Sequence, residues 1–307
     1  MKYQVPKIQL IPGADEYLSF QLEGREVLGW NASGRFPRPF FYPVNGPCGK
    51  SLTRMGHPAA ANHGHHKSLW WGHNSVAGVD FWSEKKSPGN QPKIIQETWH
   101  HFQSGNTEAG FAGQIGWFDS HLAKLMTQDL IAFYTPLEGG ESWLEIQTRF
   151  STPLAQLTLG KTNFGFIGMR MAQTISAQFG GGILTNSNGE KTEKAVFAKT
   201  AHWMDYSGPV SNSSWEGATW MDHPDNPRHP VSWHVRDDGW MSPAFCLTDG
   251  LTLAKNDSLS LRYGIWVHAG EVAPEKADEY FKKFAISKPY VLEKSKGPWP
   301  MVLTRKN

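Results

Sequence analysis

The chain has 307 residues, enough to bury a sizeable core without disulfides or a structural metal. Its 30 Lys and Arg against 28 Asp and Glu leave a net +2, too weak a field to recruit nucleic acid or an anionic membrane, so neither is an expected partner. Only 19% of residues are charged, against 14 Trp, 31 Gly and 20 Pro, a folded and loop-rich composition that excludes general disorder.

In chain order, short alternating runs punctuated by Gly, Pro, Asn and Ser dominate, which is the pattern of an antiparallel β protein. Ile8-Gln9-Leu10-Ile11, Leu18 to Leu22 and Arg25 to Trp30, the last two joined at Glu23-Gly24, read as a meander. In Trp143 to Phe150, Leu144, Ile146 and Phe150 share one face while Glu145, Gln147 and Arg149 share the other. In Phe164 to Ala172, Arg170 falls on the face that carries Phe164, Phe166 and Gly168. Leu251-Thr252-Leu253 and Ser258 to His268 read as a closing hairpin bent at Asn256-Asp257. Pro274 to Ile286 predicts a helix, because Pro274 suits a first turn and Ala277, Tyr280, Phe281 and Phe284 make one apolar stripe. That helix is expected on a sheet edge, and the charged tail 294–307 at the periphery. Loops are expected at 83–93 and 208–216, yet no repeat or linker divides the chain. The expectation is one all-β domain over 1–307, a large antiparallel β-sandwich with a short C-terminal helix.

No apolar run approaches the ~18 residues of a spanning helix. The start Met1-Lys2-Tyr3-Gln4-Val5-Pro6 lacks the apolar stretch of a secretory signal, so a cytoplasmic location is expected, or a periplasmic or secreted one if the chain is trimmed. Cys48 and Cys246 form no metal-type cluster and read as separate reduced thiols.

Nucleophile-elbow, zincin and dinucleotide fingerprints are absent. Gly46-Pro47-Cys48-Gly49-Lys50-Ser51 matches only the end of a phosphate loop, since Val44 stands where its first glycine belongs. The dense region is Arg54 to Trp82, where His57, His63, His65, His66 and His73 interleave with Trp70, Trp71 and Trp82. Histidine is the commonest metal ligand and titrates near neutrality. If 65–71 is extended, His65 and His66 point to opposite faces while His63 and His65 share one. Packed core histidines explain part of this group equally well.

A second region runs from Trp220 to Trp240. Pro224, Pro227 and Pro230 fix a loop presenting Asp222, His223, Asp225, Arg228 and His229, which reads as a site wall or as turn caps and surface charge. In the strand after it, His234 and Arg236 share a face opposite Trp233 and Val235. Asp205, between Trp203 and Tyr206, reads either as an acid or base in an apolar surround or as a β-turn aspartate. Aromatic faces beside His, Asp and Arg suit a small carbohydrate or glycoside, with rings against C–H faces and polar groups on hydroxyls.

Arg38-Pro39-Phe40-Phe41-Tyr42-Pro43-Val44, His65 to His73, Gly78-Val79-Asp80-Phe81-Trp82, Asp222 to Pro230 and Trp233 to Asp237 together resemble the bacterial PmoA-like family, over roughly 5–290. The family label echoes a methane monooxygenase subunit, but that subunit spans a membrane and methane oxidation is therefore not implied. The resemblance implies carbohydrate catabolism, because members resemble proteins encoded beside sugar oxidoreductases and isomerases. It is also similar in pattern to the galactose-mutarotase-like supersandwich, in which His and a carboxylate work on a sugar. No catalytic role transfers from that group residue by residue.

The expected function is His-centred acid–base chemistry on a sugar or glycoside, either mutarotation or elimination and hydration of a keto-glycoside. His66, His73, Asp205, His223 and His229 form the expected acid–base set. Arg54, Arg170, His234 and Arg236 would hold substrate oxygens, with Trp70 and Trp233 stacking on the ring. A divalent metal is the cofactor the histidines admit, with His65, His73, His223 and His229 as candidate ligands. The rivals are a non-catalytic carbohydrate-binding protein and a three-histidine copper or iron oxygenase. The catalytic reading requires the two distant histidine-bearing stretches to line a common hollow.

Overall fold

The computed structural model describes residues 5–56, 63–84, 91–296 and 301–306, so His57 of the histidine cluster lies outside the described residues. The chain opens with β1 (Ile8–Pro12), β2 (Tyr17–Leu22), β3 (Arg25–Asn31), β4 (Phe40–Val44) and β5 (Leu69–His73), paired in that order as the expected meander. Glu23 and Gly24 both have positive φ, 51° and 80°, the turn that matches strand twist in a two-residue hairpin. Next come β6 (Lys93–Gln103), β7 (Ala109–Phe118), β8 (Lys124–Pro136) and β9 (Ser142–Ser151), a second meander in a second sheet. After β10 (Gln156–Leu159), β11 (Gly165–Arg170) returns to the first sheet and pairs with β5.

Two one-turn helices, α1 (Ala177–Gly180) and α2 (Glu193–Val196), flank β12 (Ile183–Asn186). β13 (Trp203–Ser211) and β14 (Ser214–Asp222) follow as a hairpin. Most of 208–216 is therefore strand rather than the expected loop, because only Asn212 and Ser213 separate the two. β15 (Trp233–Arg236) and β16 (Trp240–Pro243) complete the first sheet, whose order is β1-β2-β3-β4-β5-β11-β16-β15. β17 (Leu251–Ala254) pairs with β10, and β18 (Leu259–Ala269) enters the second sheet between β9 and β14. The expected 251–268 hairpin is thus replaced by two unrelated pairings: the eleven-residue β18 finds longer partners than the four-residue β17.

The second sheet runs β12-β13-β14-β18-β9-β8-β7-β6, and every pairing in both sheets is antiparallel. The fold is an all-β sandwich of two eight-stranded sheets. Its core is the aromatic seam between them, where Trp30 and Phe20 meet Phe111 at 5.6 and 6.2 Å and Phe166 meets Phe150 at 4.7 Å.

The helix α3 (Pro274–Ala285) forms where the apolar stripe places it. It covers the outer face of the second sheet rather than an edge, with Ala277 and Phe284 buried against Trp203, Met221 and Trp266. The tail is not peripheral either. β19 (Tyr290–Lys294) pairs with β20 (Met301–Arg305), Tyr290 stacks on Phe133 at 3.8 Å, and Arg305 reaches Glu145 at 2.7 Å. Both cysteines are free thiols, Cys48 exposed and Cys246 buried. No helix among the described residues is long and apolar enough to cross a membrane.

Candidate functional site

Four adjacent strands of the first sheet, β5, β11, β16 and β15, sort their residues by parity. Alternation along a strand sends Leu69, Trp71, Ile167, Met169, Met241, Trp233 and Val235 into the core between the sheets. The even-numbered residues take the outer face, except Phe166 at the start of β11, which packs in the core against Phe150 and His73 rather than beside Arg170. Antiparallel register then sets Trp70 opposite Gly168, Arg170 opposite Trp240, Trp240 opposite Arg236, and Ser242 opposite His234. Gly168 is required there, because a Cβ would lie 2.0 Å from Cη2 of Trp240; its absence lets the indole lie flat across the sheet. That indole, with Trp82 and Phe164, walls a cavity of about 330 Å³ that also receives His63, His65, His66, Arg170, His234, Arg236 and Asp238. Small-molecule sites begin near this size, at roughly 300 Å³.

The 63–66 segment is a turn, closed by the His66 amide donating to the His63 carbonyl at 3.1 Å. Because it turns rather than extends, His63, His65 and His66 all line the cavity, which corrects the expectation that His65 and His66 diverge. His66 lies against Trp240, centroids 4.7 Å apart, and stacks on His63 at 4.9 Å. Arg170 donates to Nδ1 of His66 from Nη2 at 2.6 Å and from Nε at 3.0 Å. A guanidinium only donates, so Nδ1 carries the lone pair and the proton of the neutral ring sits on Nε2. Burial first, and then the charge of Arg170, hold His66 far below the usual histidine range, so it stays neutral.

Arg170 is itself buried, and its Nη1 donates to Oδ1 and the carbonyl of Asp238 at 2.6 and 2.8 Å. Arg54 braces the same loop, donating to Asp238 O at 3.3 Å and Met171 O at 3.0 Å, and burial followed by the charge of Arg170 lowers it to about 10. These two arginines therefore hold protein groups. Arg236, 43% exposed along its side chain, pairs with Glu193 at 2.8 Å and lies over Phe197.

His234 has the opposite tautomer. Its Nδ1 lies 2.7 Å from the Asn163 carbonyl, which only accepts, so Nδ1 bears the proton and Nε2 the lone pair. Burial first, then Arg236, push its pKa down to about 4. Both rings contact Trp240, His234 at 6.3 Å between centroids, and neither Nε2 has a partner among the described residues. One cavity thus offers a neutral N–H from His66 and a neutral lone pair from His234.

The other expected residues go elsewhere. His73 shares parity with Leu69 and Trp71, so it is buried in the core, stacked on Phe166 at 4.9 Å with Nε2 3.1 Å from Gly160 O; burial lowers it to about 4. Trp233 is likewise a core residue, its Nε1 donating to Ala201 O at 2.9 Å. Trp70 lies beneath the cavity, with Trp82 at 4.6 Å and the Arg38 guanidinium 4.5 Å from its ring centroid. His223 and His229 sit on the loop leaving β14, in the second sheet, and do not line the cavity. His223 accepts from Arg262 at 2.9 Å, while His229 bridges Asp222 at 2.8 Å and His202 at 3.1 Å, against Phe281 of α3. Asp222 also binds Asn226 and the Val231 amide, so it organises the loop. Asp205 lies mid-strand, wholly buried, bonded to His268, Thr219 and Ser207 at 2.9, 2.9 and 2.6 Å. The common hollow is therefore half formed: the second histidine region contributes His234 and Arg236, and its proline-rich loop belongs to another sheet.

Among the described residues no three His, Cys, Asp or Glu side chains are placed to hold a metal ion. Arg170 already occupies Nδ1 of His66 with positive charge, which repels a cation.

Phe164 lines the site on the face it shares with Arg170 in sequence, whereas Asp238, Trp240 and the Asn163 carbonyl carry no such signal. The parity of Trp240 with His234 and Arg236 was visible, but nothing in one sequence announces that β11 pairs with β16.

No curated protein matches the chain. Among solved structures it is similar to one titled "Putative kojibiose phosphorylase from human microbiome", at 9% identity and a TM-score of 0.34, covering 92% of this chain and 36% of that one. The chain thus spans about a third of the length of that protein. A second, "Crystal Structure Analysis of HI1317", aligns at 11% identity and a TM-score of 0.28 over 87% of this chain and 98% of the other. Similarity this low carries no argument about function. A family profile, in contrast, covers most of the chain. Over residues 17–282 the chain belongs to the family described as "Family of unknown function (DUF6807)".

Proposed function

We propose that this protein acts on a small keto-sugar or keto-glycoside, removing a proton from the carbon beside the carbonyl. The observation that carries this reading is the pair of neutral imidazoles of opposite tautomer in one aromatic-walled cavity. The PmoA-like resemblance supports the same substrate class.

Neutral His66 is a poor proton donor, since losing Nε2–H would leave an imidazolate. It is a good hydrogen-bond donor to a carbonyl or enolate oxygen, sharpened by the Arg170 charge behind it, and neutral histidine is known in this electrophilic role. His234 supplies the lone pair. In the sequence we propose, His234 Nε2 takes the α-proton, and the electron pair becomes an enolate held by His66. The enolate then reforms the carbonyl and expels the glycosidic oxygen from the β-carbon, and His234 returns the proton to that oxygen. Simple mutarotation fits less well, because it calls for an acid that protonates the ring oxygen. The faces of Trp82, Trp240 and Phe164 would lie against the C–H faces of the ring.

The test is proton NMR in D2O with methyl 3-keto-glucoside and methyl glucoside as probes. Deuterium incorporation or elimination beside the keto group, absent from the unmodified sugar and lost in His234→Asn, is the expected outcome. Asn keeps a donor for the Asn163 carbonyl, so the change removes the Nε2 lone pair and little else. Binding of both sugars without exchange would replace this reading with a non-catalytic carbohydrate-binding protein.

A further inference from the structure

The histidine cavity holds more positive than negative charge. Among its described lining residues two guanidiniums, Arg170 and Arg236, face one carboxylate, Asp238, while burial keeps His66 and His234 neutral. The two arginines differ in what they have left to give. Arg170 is buried and commits Nε, Nη1 and Nη2 to His66 and Asp238. Arg236 is partly exposed and commits only Nη1, to Glu193, which does not itself line the cavity. Its Nε and Nη2 lie along one edge of the guanidinium and bond no protein group among the described residues. The Phe197 ring, its centroid 4.6 Å from the guanidinium carbon, steadies the plane.

We propose that the substrate of this cavity carries a carboxylate, making it a keto-uronide rather than a neutral keto-sugar, and that Arg236 selects it. The ketone in this proposal rests on the reading above; the carboxylate rests on Arg236. Two parallel N–H groups on one guanidinium edge match the two oxygens of a carboxylate. A neutral sugar offers that edge only hydroxyls, whereas charge-assisted bonds are roughly twice as strong. A phosphate dianion calls for more cation than one free edge supplies. The spacing also suits the chemistry. His234 and Arg236 stand two residues apart on one face of β15, about 7 Å along the strand. In a 3-keto-uronide the proton lost before the glycosidic oxygen leaves is the one on C2, and the carboxylate hangs from C5 across the ring. Holding that carboxylate at Arg236 therefore turns C2 toward His234. After burial, the charge of Arg236 is the next cause of the low basicity of His234. A bound carboxylate offsets that charge, so the base strengthens when its substrate is seated.

The first test uses sugars with no ketone, methyl glucuronide and methyl glucoside, so that it is independent of any proton abstraction. By titration calorimetry the glucuronide is expected to bind about tenfold tighter, some 1.4 kcal/mol. Arg236→Gln closes that gap, Arg236→Lys keeps part of it, and Glu193→Gln, which removes the competing carboxylate, widens it. A thermal melt verifies that each variant is folded. In D2O, methyl 3-keto-glucuronide should then exchange its C2 proton faster than methyl 3-keto-glucoside. No binding of the glucuronide, equal affinity for the two ketone-free sugars, or a preference that survives Arg236→Gln overturns the proposal. Tighter binding of methyl glucoside 6-phosphate than of the glucuronide overturns it in favour of a phosphate. A glucuronide preference that depends on Arg236, with no exchange in either keto-sugar, upholds the carboxylate site and refutes the proton abstraction instead.

Discussion

Acid should unfold this protein through its buried histidines, and His234 offers the cleanest measure. Its pKa is about 4 in the fold against an ordinary value of 6.5. The folded state thus holds the ring neutral while the unfolded state takes up a proton first. Stability from this group is complete above pH 6.5 and is lost as pH falls from there toward 4. At pH 5 the unfolded chain gains RT ln[(1 + 10^1.5)/(1 + 10^−1)], or about 2 kcal/mol, and at pH 7.5 almost nothing. His73 lies under the same burial with a pKa of about 4, so together they remove about 4 kcal/mol by pH 5. That is a large part of the 5–15 kcal/mol typical of a whole domain. The assay is urea unfolding of the wild type and His234→Asn at pH 7.5 and pH 5. The variant keeps a donor for the Asn163 carbonyl but cannot titrate, so its drop between the two pH values should be smaller by about 2 kcal/mol. Equal drops in the two proteins would refute the account of His234 as a buried neutral base.

Further outcomes follow from the same geometry. Arg170→Met strips both donors from His66 Nδ1 and leaves the Asp238 carboxylate only the 4.0 Å contact with His63, so urea unfolding should show a loss of about 3 kcal/mol, the low end for a partly exposed pair; an unchanged midpoint would mean that this network does not hold the cavity. Gly168→Ala drives a Cβ to within 2.0 Å of Trp240, costing about 1–3 kcal/mol and closing the cavity, so α-proton exchange should vanish from protein that still melts cooperatively. Full exchange in that variant would show that the Trp240 face is not part of the site. Asp205→Asn breaks a buried pair with His268 and should destabilise by about 3 kcal/mol while exchange in the folded protein stays intact. Loss of exchange there would return Asp205 to the acid–base set.

The parts legible in the sequence are those where one face is apolar and the other is not. Trp233-His234-Val235-Arg236 alternates cleanly, and His234 and Arg236 do share the outward face. Leu69-Trp70-Trp71-Gly72-His73 alternates too, but aromatics on both faces hide which side is core, and His73 proved to be on the buried one. The Pro274 helix was plain from its stripe, whereas its seat on the sheet face depends on Trp203, Met221 and Trp266 arriving from three separate strands. His223 and His229 misled for a related reason: eleven residues from His223 to His234 carry the chain from one sheet to the other. Proximity along the chain was mistaken for proximity in space.

Because the cavity floor depends on odd and even positions of β5, β11, β15 and β16, these four segments tolerate substitution far better than any change of length. A one-residue slip of β15 against β16 would turn Trp233 toward solvent and force an imidazole and a guanidinium between the sheets, a swap no side-chain rotation can undo. Relatives that have diverged in what they recognise should therefore differ by insertions in the intervening loops, while the residue count of each floor strand stays frozen.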